Sequence, residues 1–188
     1  MTMLPSRDEA FALLNEYNED PYHIQHALAV EGVMKHFAEL LDQGDTDKWG
    51  LVGLLHDLDY GKYPDQHCIK VVEILEERGY PKDFINSITS HACRDDSCYP
   101  PTLLMEKVLY TIDELCGLVH AAALMRPSKS VMDMEVKSVK KKFKSKGFAV
   151  GVSREIIQEG MDRLGWDLDY TIEHTLKGMQ DVHEAIGL

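Results

Sequence analysis

Imidazoles and carboxylates able to share a metal ion are spread along the first two thirds of this chain, at His26, His56, Asp57, His67, His91 and Asp113. This mixture of nitrogen and oxygen donors suits a divalent ion such as Mn, Fe, Co, Ni, Zn or Mg. No cysteine is counted among the donors, which argues against a structural thiolate zinc site. Six donors exceed what one catalytic ion needs. They imply either two ions about 3.5–4 Å apart, or one ion with two histidines left to face a substrate. Asp57 is the best bridge between two ions, because a carboxylate has two oxygens and an imidazole cannot span a pair. The chemistry such a centre offers is hydrolysis by a water whose pKa the ion has lowered.

Each residue also has a purely structural use. His26 could be a satisfied core histidine, His67 a solvated helix-start histidine, His91 a cap of its own helix, and Asp113 a partner of Lys107. His56-Asp57 alone could be a helix C-terminal histidine beside a solvated aspartate. Six separate explanations are less economical than one shared site. His23, His36, His120, His174 and His183 are assigned structural roles.

The elements that must position the donors read as helical. Trp49, Val52 and His56 recur at i, i+3 and i+7, so His56 continues a buried stripe, with Asp57 about 100° further round the same helix. A buried Asp beside a buried His is costly unless something cationic satisfies both. Ser6-Arg7-Asp8-Glu9 is a capping box, and Asp20 with Pro21 opens a long helix, about 22–41, whose inward stripe includes His26, Val30, Val33 and Phe37. His67 starts a helix through Ile69, Val72 and Leu75. Phe84, Ile88 and His91 mark another after Pro81. Asp113 shares a face with Ile112, Cys116 and His120 on a helix from about Leu103 to Met125. Later helices are expected at about 134–144, 153–164 and 167–186. No strand-like alternation appears. The expected fold class is all-α: a compact bundle of about eight or nine helices forming one domain over 1–188. Its core spans about 20–126, and a C-terminal helical subdomain, about 127–188, covers the site.

With 44% hydrophobic and 28% charged residues in 188, the chain has the composition of a globular domain. A net charge of -12 argues against polymeric nucleic acid and anionic membranes as partners. Arg126, Lys129, Lys137, Lys140, Lys141, Lys142, Lys144 and Lys146 nevertheless form a local basic island that suits a small anionic ligand, with Lys140–Lys142 as a solvated helix face. Cys68, Cys93, Cys98 and Cys116 contain no CxxC pair and read as free thiols. Residues 1–20 are polar and acidic, and no apolar run approaches the ~20 residues of a membrane span, so a cytoplasmic protein is expected.

The order His26, His56-Asp57, Asp113, with Leu54-Leu55-His56-Asp57 followed by Gly61-Lys62, resembles the HD-domain superfamily of metal-dependent phosphohydrolases. His67 and His91 fall where its dimetal members carry two further histidines. The stretches Asp113-Glu114-Leu115-Cys116-Gly117-Leu118, Ala123-Leu124-Met125-Arg126-Pro127 and Phe148–Glu155 are similar to a bacterial HDIG-type branch, so the likeness covers most of the chain. The family's frequent His-Asp-Ile-Gly-Lys appears here as His-Asp-Leu-Asp-Tyr-Gly-Lys, and Lys62 stands two residues late. The resemblance implies attack of water on a phosphoester or phosphoanhydride, with a small phosphorylated substrate, best a nucleotide, as partner. Asp57 would sit at the reacting centre, with Lys62, Arg126 and Lys129 as candidate phosphate contacts. Arg126 lies about 20 Å along its helix from Asp113, so it binds a distal phosphate or serves only as a partner of the helix dipole. Asp59, Asp95 and Asp96 would orient water or ligands. Two other functions fit the same sequence: a di-iron oxygenase on the same six donors, and a non-catalytic helical module that binds a nucleotide or a partner protein. A homodimer is compatible with all three.

Overall fold

The computed structural model describes residues 4–94 and 98–188. Among them there are ten α-helices and no strand: α1 (Arg7–Tyr17), α2 (Pro21–Leu40), α3 (Thr46–Leu55), α4 (Lys70–Glu77), α5 (Lys82–Thr89), α6 (Leu104–Leu124), α7 (Val136–Lys144), α8 (Arg154–Leu164), α9 (Leu168–Asp181) and α10 (His183–Ile186). The all-α architecture is therefore as expected, the last helix being a single extra turn. No helix among the described residues is long and apolar enough to cross a membrane.

Helices α2 and α3 form the centre. Asp20 caps α2 by accepting from the Tyr22 N–H at 2.9 Å, with Pro21 in the first turn. Seven successive residues of α3, Trp49 to Leu55, are buried, so the last two turns of this helix have no solvent face. Close approach to α2 depends on Gly53, where an added Cβ would lie 3.0 Å from the Val30 carbonyl oxygen. The helix ends at Leu55, earlier than its apolar period suggests. His56 is its C-cap and Asp57 begins a series of tight turns.

Those turns are fixed to α1. The buried Asn18 side chain donates to the Leu58 carbonyl at 2.9 Å and accepts from the Gly61 N–H at 3.0 Å. A Cβ on Gly61 would stand 2.6 Å from Asn18 Oδ1, so glycine is the residue that permits this contact.

Helix α5 likewise stops short of the expected His91, at Thr89. Side chains of Ser87, Thr89 and Ser90 hydrogen-bond back to carbonyls three or four residues earlier, which favours the tighter 3₁₀ turn Ser90–Ala92 that carries His91. Glu106, buried near the start of α6, accepts from Ser87 Oγ at 2.8 Å and from the N–H groups of Thr102 and Leu103 at 2.8 and 2.9 Å. This carboxylate locks α5 to α6, and with them His91 to Asp113.

The C-terminal helices pack on the same core. Trp166 stacks on Phe37 of α2 with ring centroids 4.9 Å apart, and α8 lies along α6 with Tyr110 donating to Glu159 at 3.0 Å.

Candidate metal centre

The corner at the end of α3 supplies the middle of the site. His56 is wholly buried, and its Nδ1 donates to the Gly53 carbonyl at 2.7 Å. In the neutral imidazole that bond leaves a lone pair on Nε2. No hydrogen-bond partner meets it. Two carboxylate oxygens do, Asp57 Oδ2 and Asp113 Oδ1, each at 3.3 Å. From α2, His26 Nε2 lies 2.9 Å from Asp113 Oδ1 and 3.8 Å from Asp57 Oδ2. A lone pair facing two anionic oxygens in a buried pocket is repulsive unless a cation lies between them.

A second group adjoins the first. His67 Nδ1 donates to Asp59 Oδ1 at 2.8 Å, while Asp59 Oδ2 accepts from the Val71 N–H at 2.9 Å. His91 Nδ1 donates to the Ile88 carbonyl at 2.7 Å. Both histidines therefore turn Nε2 lone pairs toward each other, 3.2 Å apart, and toward Asp57 Oδ1 at 3.3 and 3.6 Å. Asp57 stands between the groups and gives one oxygen to each.

Electrostatics agree with this geometry. Burial alone would lower the pKa of His56, but the charges of Asp57 and Asp113 outweigh it and lift it to about 10. Burial is likewise overcome at His67, by the hydrogen bond to Asp59, to give about 9. His91 is also raised, while Asp57 and Asp113, despite burial, are held below the usual carboxylate range by His56. The cluster gathers positive charge. Protons supply it in the absence of an ion.

Above these donors lies a cavity of about 520 Å³. Tyr22, His23, Tyr60 and Arg94 form part of its lining, and Ala149, Gly151 and Val152 close one side. That side is held by Arg154, whose guanidinium donates to the carbonyls of Phe143, Ser145, Phe148, Ala149 and Val152. Glu114, next to Asp113, accepts from the Ser153 N–H at 3.0 Å and fixes the other end of the loop.

All six proposed donors, from five separate parts of the chain, thus meet in two adjoining groups about Asp57. Lys62 and Arg126 do not. The turn tied to Asn18 carries Lys62 to the outside, where its Nζ sits 5.0 Å from the Tyr17 ring centroid. Arg126 follows the far end of α6 and forms a two-pronged ion pair with Asp133, at 2.9 and 3.0 Å. No lysine of the basic island lines the cavity; Lys140 pairs with Asp169 at 2.6 Å and Lys142 covers the Phe148 ring. Asp59 orients His67, whereas Asp95 and Asp96 lie outside the described residues.

Two readings of the cysteines need correction. Cys93 and Cys98 are joined by a disulfide, not free; they stand five residues apart in sequence with Cα atoms 5.4 Å apart, a spacing that a search for CxxC passes over. Cys68, discounted as a donor, has its Sγ 3.4 Å from His67 Nε2 and 3.9 Å from His91 Nε2. Burial pushes its thiol up, but His91 and His67 more than offset this and bring it to about 7.

A family model described as the HD domain matches residues 23–122, more than half of the chain. The chain belongs to the HD-domain family. The match runs from α2 through most of α6 and includes His26, His56, Asp57, His67, His91 and Asp113. Neither a curated protein nor a solved structure matches the chain. HD domains are in general metal-dependent hydrolases, and the donor set here fits such an ion: the partnerless Nε2 of His56 is a buried lone pair with two carboxylates arranged about it. In this HD domain two groups of side chains could hold metal, His26, His56 and Asp113 in one, His67, Cys68 and His91 in the other.

Proposed function

We propose that this HD domain is a phosphohydrolase that holds two divalent ions and cleaves a phosphoester or phosphoanhydride of a small substrate, a nucleotide by preference. The observation that carries the reading is the placement of Asp57, with Oδ2 toward His26 and His56 and Oδ1 toward His67 and His91. On this reading His26, His56, Asp57 and Asp113 hold one ion, and His67, His91 and Asp57 the other. The ions would supply Lewis acidity toward a phosphoryl oxygen and ionise a water at neutral pH. Asp59 keeps His67 in the tautomer that presents Nε2, as carboxylates behind metal-binding histidines do. Gly53 and Ile88 carbonyls do the same for His56 and His91.

Arg94 replaces Lys62 and Arg126 as the candidate phosphate contact, being the one lysine or arginine that lines the cavity among the described residues. Tyr22, His23 and Tyr60 offer ring faces and edges on which a nucleobase can rest.

The test is a screen of metal-stripped protein, resupplied with Mn, Co, Ni or Fe, against nucleotides and other phosphoesters, reading released phosphate under anaerobic conditions. Metal-dependent release that disappears in Asp57→Ala is expected. Protein that binds metal yet releases phosphate from no substrate, and turns over only with oxygen, would contradict it.

A further inference from the structure

Cys68 lies between the 3₁₀ turn Pro64–Gln66 and α4, with φ +63°, a left-handed backbone that residues with a Cβ seldom adopt. Its Sγ and the Nε2 atoms of His67 and His91 all lie within 4.8 Å of one another. His91 is 3% exposed and has committed its Nδ1 hydrogen to the Ile88 carbonyl, so in the neutral ring its buried Nε2 aims a lone pair at this group. His67, half-buried, has its Nδ1 hydrogen likewise committed, to Asp59. One thiol hydrogen can serve only one of these two lone pairs. An ion between them and the sulfur serves all three.

We propose that Cys68 is a ligand of the ion held by His67, His91 and Asp57, which makes this half of the centre a thiolate site. The inference rests on the two-ion reading above. When the ion binds, the Cys68 S–H bond and any Nε2–H bonds of His67 and His91 break, those protons pass to water, and the freed sulfur and nitrogen electron pairs form the bonds to the metal; nothing is oxidised or reduced. A thiolate among imidazoles favours zinc, cobalt or ferrous iron over magnesium or manganese, so the two halves differ in the ions they select.

The experiment titrates the metal-stripped full chain with Co²⁺ alone, following bound cobalt per chain and the near-ultraviolet thiolate-to-cobalt absorption. Wild-type protein is expected to develop the band as its second cobalt binds. Cys68→Ser should lose the band, and its affinity for one of the two ions should fall by about tenfold or more, the other being unchanged. Cys116→Ser, which removes the buried thiol of α6, should keep the band. Two cobalt ions bound to wild-type protein without a thiolate band would overturn the role of Cys68 and leave the two-ion reading intact. A band that persists in Cys68→Ser would also overturn it. Absence of bound cobalt would overturn both. Because the wild-type spectrum alone can decide, the test does not depend on the variant folding.

Discussion

Two pairs of histidines in this molecule stand equally close and have opposite electrostatics. His67 and His91 face each other through Nε2 atoms 3.2 Å apart, and His36 and His174 meet at 3.0 Å. The first pair has Asp57 and Asp59 around it and its pKa values are raised. The second pair joins α2 to α9 among Phe37 and Tyr170, with ring centroids 4.6 Å apart between Tyr170 and His174. Burial lowers both of its pKa values, and the Asp181 carboxylate beside His36, itself 70% exposed, is too well solvated to reverse this there. One hydrogen shared between His36 Nε2 and His174 Nδ1 satisfies the second pair. Among the described residues the one group beside the first pair with a hydrogen to give is the Cys68 thiol, which can serve one ring and not both, so a cation is needed. The carboxylates behind and between the rings, more than the rings themselves, separate a binding site from packing.

Removing the shared carboxylate should have the largest effect. Asp57→Ala takes an oxygen from both groups, and we expect loss of both ions and a fall in phosphate release of about a thousandfold or more, measured by elemental analysis and turnover. His174→Gln, in the other pair, should leave metal content unchanged; if it also empties the centre, the contrast fails.

Asp59→Asn tests the carboxylate behind His67 alone. An affinity loss of about 10–100-fold for one ion is expected in a metal titration, with the ion at His56 and Asp113 retained. Equal loss at both would mean that the two groups do not act separately.

The pairs also predict opposite pH limbs of stability. His56 and His67, raised in the folded state to about 10 and about 9 against 6.5 unfolded, stabilise metal-free protein below pH 6.5, and this is lost as pH rises through 9–10. His36 and His174 are depressed, so the unfolded chain binds their protons more readily, and stability present above pH 6.5 is lost as pH falls below it. Thermal melts across pH should show metal loading abolishing the alkaline loss and His174→Gln reducing only the acid one.

The smallest effect is expected at Arg154, which touches neither pair but holds the loop over one of them. Arg154→Ala should lower Tm by about 4 °C, from about 1–2 kcal/mol of lost hydrogen bonding, and raise KM with metal content intact. A change in metal content would place the loop within the centre itself.

Most of the helices were legible because their apolar residues recur at helical spacing, and the donors because they interrupt apolar faces. His26, three and four residues after His23 and Tyr22, even marks the cavity face of α2 that all three share. The ends of α3 and α5 are not legible in the apolar period, since side-chain bonds to carbonyls act locally and the Asn18 anchor reaches in from 40 residues away. Lys62 and Arg126 stand out in the sequence by charge and position, and each is drawn off by a partner that spacing does not reveal, Tyr17 in one case and Asp133 in the other. Arg94 and Cys68 sit in irregular segments, where only three-dimensional neighbours show what they face.

The most direct measurement is anomalous diffraction from crystals of the protein grown with Co²⁺. Two cobalt peaks flanking Asp57 are expected, about 3.5–4 Å apart, one within bonding reach of His56 Nε2 and the other of His91 Nε2. Crystals in which no cobalt stands beside His56 Nε2, and an ordinary hydrogen-bond donor fills its place, would contradict this.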